Sequence, residues 1–180
     1  MRAQVLERQI VTESFPVHFL QMARPREKYW YALKVFYNRV EKLREFFKPD
    51  RYETFAPSLI PSLLFVKCSE EFLVALKREH WDKFMFYKDA EGQHPGKIPD
   101  HEMEMFITAL SNPAVTAEYL GEDTQKYMTG DQVRIIDGPY KGYEGFVHRI
   151  KHDRKLVVCV RGVAVVAFSD IRMEFVEKIS

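Results

Sequence analysis

Residues 130–147, Gly-Asp-Gln-Val-Arg-Ile-Ile-Asp-Gly-Pro-Tyr-Lys-Gly-Tyr-Glu-Gly-Phe-Val, leave the backbone few options. Val133 and Ile135 alternate with Gln132 and Arg134, the period-2 pattern of a half-buried strand. Asp137-Gly138-Pro139 then breaks the strand, because glycine admits positive φ while proline fixes φ and lacks a donor. Gly142 and Gly145 bracket a second bend, and Phe146-Val147 start another strand. The segment therefore reads as strand, glycine-shaped loop, strand, with Tyr140, Lys141 and Tyr143 presented on the loop. A phosphate-cradling loop is disfavoured, since no Gly-Lys-Ser/Thr ends the run and no amphipathic helix follows. A generic hairpin with three turn glycines is the plainer alternative.

Downstream, Val147–Ile150 completes a strand and Lys151–Arg154 forms a turn. Leu156–Val160 and Ala164–Phe168 follow as strands joined across Arg161-Gly162, and Ile171, Met173 and Phe175 alternate in a last one. Five short strands with turn signals between them predict a small β-barrel over 129–180. The valines at 157, 158, 160, 163, 165 and 166 favour strand over helix there. The polar stretch 116–128 reads as a linker, with a helical tail to about Tyr119 and a flexible remainder.

Upstream, Lys28–Phe36 is dense in aromatic and β-branched residues and reads as a strand. Asn38, with Glu41 three residues on, is placed to cap a helix carrying Val40, Leu43, Phe46 and Phe47 on one face, which Lys48-Pro49 stops. Glu53–Ala56 is a short strand, and Leu63–Cys68 an apolar run suited to a central strand covered on both faces. Ser69 caps the next helix, whose acidic first turn and basic last turn match the macrodipole. Lys83–Tyr87 is another strand and 88–99 a loop. Asp100 caps a third helix in which Met103, Phe106, Ile107 and Leu110 recur at helical spacing. The class is α+β: a mixed α/β sandwich over 28–115, preceded by an arm at 1–27 and followed by the linker and barrel.

With 27 basic and 26 acidic side chains the chain has a formal charge of +1, so any nucleic-acid contact must come from a local patch. Cys68 and Cys159 lie in predicted strands without metal-type spacing, which predicts reduced thiols. No run approaches the ~20 apolar residues of a membrane span and no signal-type segment opens the chain, so a cytoplasmic protein is expected; a monomer is expected as well.

The 130–147 stretch resembles a KOW motif: Gly-Asp before the first strand, Gly-Pro-aromatic-Lys-Gly, then Gly-Phe-Val. Ahead of it, Trp30-Tyr31-Ala32-Leu33 resembles the opening of the NusG N-terminal domain. Ile60-Pro61-Ser62-Leu63-Leu64-Phe65-Val66 stands where that family has Phe-Pro-Gly-Tyr-Val-Phe-Val, and Ile98-Pro99-Asp100-His101-Glu102 resembles the lead-in to its last helix. The resemblance covers roughly 28–180. The altered Pro61 segment, the missing Pro-Gly-Val near Glu79–Asp82 and the arm depart from the housekeeping pattern and are most similar to the UpxY-type antiterminators of capsular polysaccharide operons.

The resemblance implies a transcription elongation or antitermination factor that is not an enzyme and needs no cofactor. It implies an apolar depression gripping the clamp helices of the RNA polymerase largest subunit, built from Ile60, Leu63 and Phe65 with Phe84 beside them. Ordinary core packing is the rival reading of those residues. Arg39, Lys42, Lys77 and Arg78 would meet non-template DNA of the transcription bubble, unless they are merely solubilising charges. Tyr140, Lys141 and Tyr143 would meet a partner of the barrel: Rho, a ribosomal protein or RNA. Arg149, Lys151, Arg154 and Lys155 form a basic cluster that is either an RNA contact or a charged hairpin. A general NusG recruiting Rho, and a ribosome-associated KOW protein, remain alternatives.

No catalytic set is apparent. His148 and His152 lack the glutamate of a zinc-protease motif, His94 and His101 flank a loop without cysteines, and no nucleophile elbow occurs. Glu102 and Glu104 read as a solvated helix face.

Overall fold

The computed structural model describes residues 27–47, 52–79, 82–113, 115–169 and 171–179. The expected arm lies outside them but for its last residue, as does the helix stop at Lys48-Pro49.

Strands β1 (Tyr29–Val35), β2 (Glu53–Phe55), β3 (Leu63–Cys68) and β4 (Phe84–Phe86) form an antiparallel sheet in the order β2-β3-β1-β4. The central pair is in register through Tyr31↔Val66, Ala32↔Phe65 and Leu33↔Leu64. Successive side chains leave a strand on opposite faces, so these apolar runs must be roofed twice. Helices α1 (Val40–Phe47) and α2 (Glu70–Glu79) cover Tyr31, Leu33, Val35, Leu64, Val66 and Phe84 with Leu43, Phe47, Phe72, Leu73 and Leu76. Helix α3 (Asp100–Ser111) covers Trp30, Ala32, Leu63 and Phe65 with Met103, Phe106 and Ala109. Each fully buried Leu or Phe is worth about 1.5–3 kcal/mol over exposure, so both roofs contribute heavily.

Two helix starts differ from expectation. Ser69 does cap α2, its Oγ accepting from Phe72 N at 3.4 Å. Asn38 does not cap α1; it sits at φ 53, directly after Tyr37 at φ 59. The chain must reverse between β1 and α1 without a glycine, and two consecutive left-handed residues make the reversal. Asp100 does not cap α3 either: Pro99 holds that position with no side-chain bond, and the Asp100 carboxylate pairs with Lys67 Nζ at 3.0 Å.

The second sheet has six strands: β5 (Ala117–Gly121), β6 (Gln132–Ile135), β7 (Glu144–Ile150), β8 (Asp153–Val160), β9 (Ala164–Phe168) and β10 (Val176–Lys178), in the order β10-β6-β7-β8-β9-β5. The added strand lies in the expected linker. Ala117–Gly121 forms no helical tail but pairs antiparallel with β9, since an unpaired edge of a fully buried strand is costly. The β7–β8 turn is two residues, Lys151 and His152, both at positive φ as a tight hairpin demands. Met173–Phe175 is a 3-10 turn rather than alternating strand, and β10 begins after it. Gly145 is obligatory: a Cβ there would stand 2.2 Å from the Val157 carbonyl oxygen, where β7 crosses β8.

The two sheets share α3. Its inner side lies on β1 and β3, while Val158, Val160, Val163 and Phe168 of the second sheet belong to the same buried cluster as Met103, Phe106 and Ala109. Among the described residues no helix is long and apolar enough to cross a membrane.

Candidate functional site

The apolar candidates divide between two surfaces. Ile60, Leu63 and Phe65 are 7%, 2% and 0% exposed and share the α3 face. Phe65 packs edge-on to Phe106, with ring centroids 5.6 Å apart, and stacks on Phe55 at 6.3 Å. Phe84 is buried on the opposite face, among the residues that α1 and α2 cover. Strand alternation explains the split, because Phe84 is opposite Val35 on β1, whereas Phe65 is opposite Ala32. The expected four-residue depression is thus three residues roofed by α3, with Phe84 elsewhere.

The tyrosines expected on the loop are buried: Tyr140 is 5% exposed and Tyr143 3%. Their rings pack edge-on to one another at 5.9 Å and to Phe168 at 6.1 and 5.9 Å. A buried tyrosine needs a partner for its hydroxyl. Tyr140 Oη donates to the Ser169 carbonyl, and Tyr143 Oη donates to the Thr108 carbonyl at 3.0 Å. Thr108 lies in the last turn of α3, so Tyr143 ties the second sheet to the helix that roofs the first. Lys141, between them, stays exposed.

Four further contacts close this seam. Asn112 Nδ2 donates to the Pro139 carbonyl at 3.0 Å. Glu102, expected in solvent, accepts from the Arg161 backbone N–H. Glu122, just past β5, accepts from Tyr87 Oη at 2.8 Å and pairs with Lys34 at 3.2 Å. Burial and then the Glu122 carboxylate hold the Tyr87 hydroxyl well above the usual phenol range. Glu122 and Asn112 were missed because nothing in their sequence neighbourhood distinguishes a seam residue from a polar loop residue.

The basic candidates do gather. The Phe36 N–H donates to the Lys83 carbonyl at 2.9 Å, and Val35 pairs with Phe84, so the start of α1 and the end of α2 lie at one end of the sheet. Arg39, Lys42 and Arg78 are exposed there. Lys77 instead turns inward: its Nζ donates to the Phe84 carbonyl and lies 5.4 Å from that ring's centroid, and burial lowers its pKa. Tyr37 stands in the same place, 75% exposed, with the Arg39 guanidinium 5.4 Å from its ring centroid. Holding Tyr37 and Asn38 left-handed costs of order 1–3 kcal/mol each.

The second basic cluster is partly neutralised. Lys155 is 8% exposed and pairs with Glu118 at 2.7 Å, and Lys151 reaches the same carboxylate at 3.4 Å. The Lys155 hydrogen bond, with both lysine charges, holds Glu118 below the usual carboxylate range. Arg149 and Arg154 remain exposed. His148 Nε2 lies 2.7 Å from the Tyr127 carbonyl, the bond of a structural histidine. Among the described residues no three His, Cys, Asp or Glu side chains cluster as a metal site would require. Burial pushes the Cys68 and Cys159 thiols up to about 12, so neither is a ready nucleophile.

No family model matches the sequence, and no curated protein matches it. Among solved structures, the chain is similar to one of domain interaction in Thermotoga maritima NusG. The two are 19% identical, the match covers 85% of this chain and 98% of that one, and the TM-score is 0.46. It is also similar to a chain of the MjSpt4:Spt5 complex in its conformation B, at 18% identity, 84% and 97% coverage and a TM-score of 0.32. Neither likeness is close enough to carry a function across.

Proposed function

We propose that this chain is a NusG-type transcription elongation factor, a cytoplasmic adaptor rather than an enzyme. It would bind the clamp helices of the RNA polymerase largest subunit. In its finer form the reading is a UpxY-type antiterminator that suppresses pausing or termination in long operons, such as those for capsular polysaccharide. The observation that carries the proposal is a pairing within one chain. A helix-flanked sheet opening on Trp30-Tyr31-Ala32-Leu33 is followed by a six-stranded antiparallel sheet whose β6–β7 connection is shaped by Gly138, Gly142 and Gly145, in the order the motif resemblance implies. A factor of this kind works by differential binding, favouring the closed, elongating polymerase over paused forms.

The burial of Ile60, Leu63 and Phe65 sets a condition. Polymerase can reach that surface only if the second sheet lifts from α3 and the helix yields part of its cover. Leu63→Asp is therefore a poor probe, because a charge at a 2% exposed position would unfold the sheet. The direct experiment is transcription by purified polymerase of the source organism on a long template, with and without the full chain. Co-migration with the elongation complex and shorter pauses are expected. Failure to co-migrate at micromolar protein overturns the reading. Rho, a ribosomal protein or RNA would meet the second sheet through Lys141, Arg149 and Arg154, since Tyr140 and Tyr143 face inward. Co-sedimentation with ribosomes in high salt would instead favour a ribosome-associated protein.

A further inference from the structure

We propose that the outer edge of β4 pairs with the same edge of a second copy of this chain, and that Lys77 is the latch that holds the edge shut. The inference goes beyond the elongation-factor reading and does not rest on it.

The hydrogen bonds around β4 fix which backbone groups face outward. The Phe36 N–H donates to the Lys83 carbonyl, the Tyr87 N–H donates to the Ala32 carbonyl, and Lys34 stands opposite Met85. In an antiparallel ladder bonded pairs recur at every second residue, so Lys83, Met85 and Tyr87 direct their backbone groups to β1. The N–H and C=O groups of Phe84 and Phe86 therefore point the other way. Beyond Tyr87 the chain turns back on itself: Lys88 is bridged to Pro95, and the Gly96 N–H donates to the Tyr87 carbonyl. The return segment runs on the β1 side, where Ile98 is bridged to Trp30. The outer edge is left open, and among the described residues no strand covers it.

Proteins blunt such edges with proline, bulges or charge. Phe84-Met85-Phe86-Tyr87 has no proline and no charge, and Met85 is 45% exposed. One cation from elsewhere closes the edge. Lys77, in the last turn of α2, donates from Nζ to the Phe84 carbonyl, which is one of the outward groups. Its ammonium also lies 5.4 Å from the Phe84 ring centroid. A second strand could take that carbonyl only by displacing the lysine.

The composition of the edge selects the occupant. Residues 82–88 read Asp-Lys-Phe-Met-Phe-Tyr-Lys, which is nearly self-complementary when reversed. A two-fold axis through Met85 sets Phe84 of one copy opposite Phe86 of the other. These are the residues whose backbone groups face outward, so both pairs can bond. The same register sets Asp82 opposite Lys88, an ion pair made twice. The contact is isologous and closes on itself as a dimer, joining two sheets by strand addition.

The test is sedimentation of the full chain, with hydrogen exchange read at single amides. Lys77→Met keeps the apolar stem and removes the latch. It is expected to dimerise at micromolar concentration, where wild type stays monomeric, and to gain protection at the Phe84 and Phe86 amides. Lys77→Arg keeps a charged donor and should remain monomeric. Charges on the axis check the register, since Met85 meets its own counterpart there. Adding Met85→Lys to Lys77→Met should raise the dimer dissociation constant about tenfold or more. Adding Met85→Glu should do the same, and mixing the two double variants should restore association. Should Lys77→Met not fold, wild type at submillimolar concentration replaces it: exchange at the same two amides should slow with concentration, and Met85→Lys should abolish that slowing. A folded, monomeric Lys77→Met overturns the proposal. So does a dimer indifferent to charge at position 85, or a wild type whose Phe84 and Phe86 amides ignore concentration when Lys77→Met cannot be used.

Discussion

The two faces of the first sheet are buried by different means. One is sealed by α1 and α2, which follow directly from strands of that sheet, so its core is complete within residues 29–86. The other is sealed by α3, whose outer side is covered by the second sheet, most of whose strands lie beyond residue 130. The first face is a core by local construction. The second is a core by agreement between distant parts of the chain, so its integrity depends on contacts that the first sheet's own strands and helices do not supply.

That contrast can be broken at several points. The largest effect is expected at the local core: Phe84→Ala should cost about 3–5 kcal/mol in urea unfolding and strip hydrogen-exchange protection from α1 and α2. Next comes Gly145→Ala, whose methyl meets the Val157 carbonyl oxygen at 2.2 Å. It should destabilise the second sheet by about 1–3 kcal/mol or more, split thermal unfolding into two transitions and increase exchange in α3 while sparing α1 and α2. Equal loss in all three helices would show that the faces are not independent. Tyr143→Phe removes only the hydroxyl bonded to Thr108. A loss of about 1 kcal/mol is expected, with faster exchange at the end of α3.

The smallest effect concerns pH. Glu118 is held below the ordinary carboxylate range by Lys155 and Lys151. Its contribution is therefore present above the unfolded-state pKa and lost as pH falls through the lowered folded value. Acidification below about pH 4.5 should loosen β5 from β9, seen as faster exchange at Ala117–Gly121, and Glu118→Gln should remove that dependence.

Much of this was legible in the sequence for identifiable reasons. Leu63–Cys68 announces a central strand because apolar residues occupy both alternations, and it lies between β2 and β1. The loop over 136–143 follows from Gly138, Pro139 and Gly142. What local pattern could not express is who covers whom. Tyr140 and Tyr143 look like displayed aromatics because their neighbours are glycine and lysine, and it is Phe168, Ser169 and Thr108, distant in sequence, that turn them inward. Ala117–Gly121 is too mixed in composition to declare itself a strand, and pairing with β9 decides it. Tyr37 escaped notice since a strained conformation has no periodicity. Arg39, Lys42 and Arg78 are exposed, but Lys77 is drawn inward by a carbonyl that sequence reading does not see.

The strand laid over β9 carries a consequence for synthesis. Ala164–Phe168 is five consecutive buried apolar residues with no charge or proline, the composition of a fibril seed. Its companion at 117–121 leaves the ribosome first and waits as a gatekeeper, so the hazardous segment emerges with a docking place already made. Versions of the protein shortened to begin after residue 121 would lose that guard, and they should gel or precipitate where the longer chain stays dispersed.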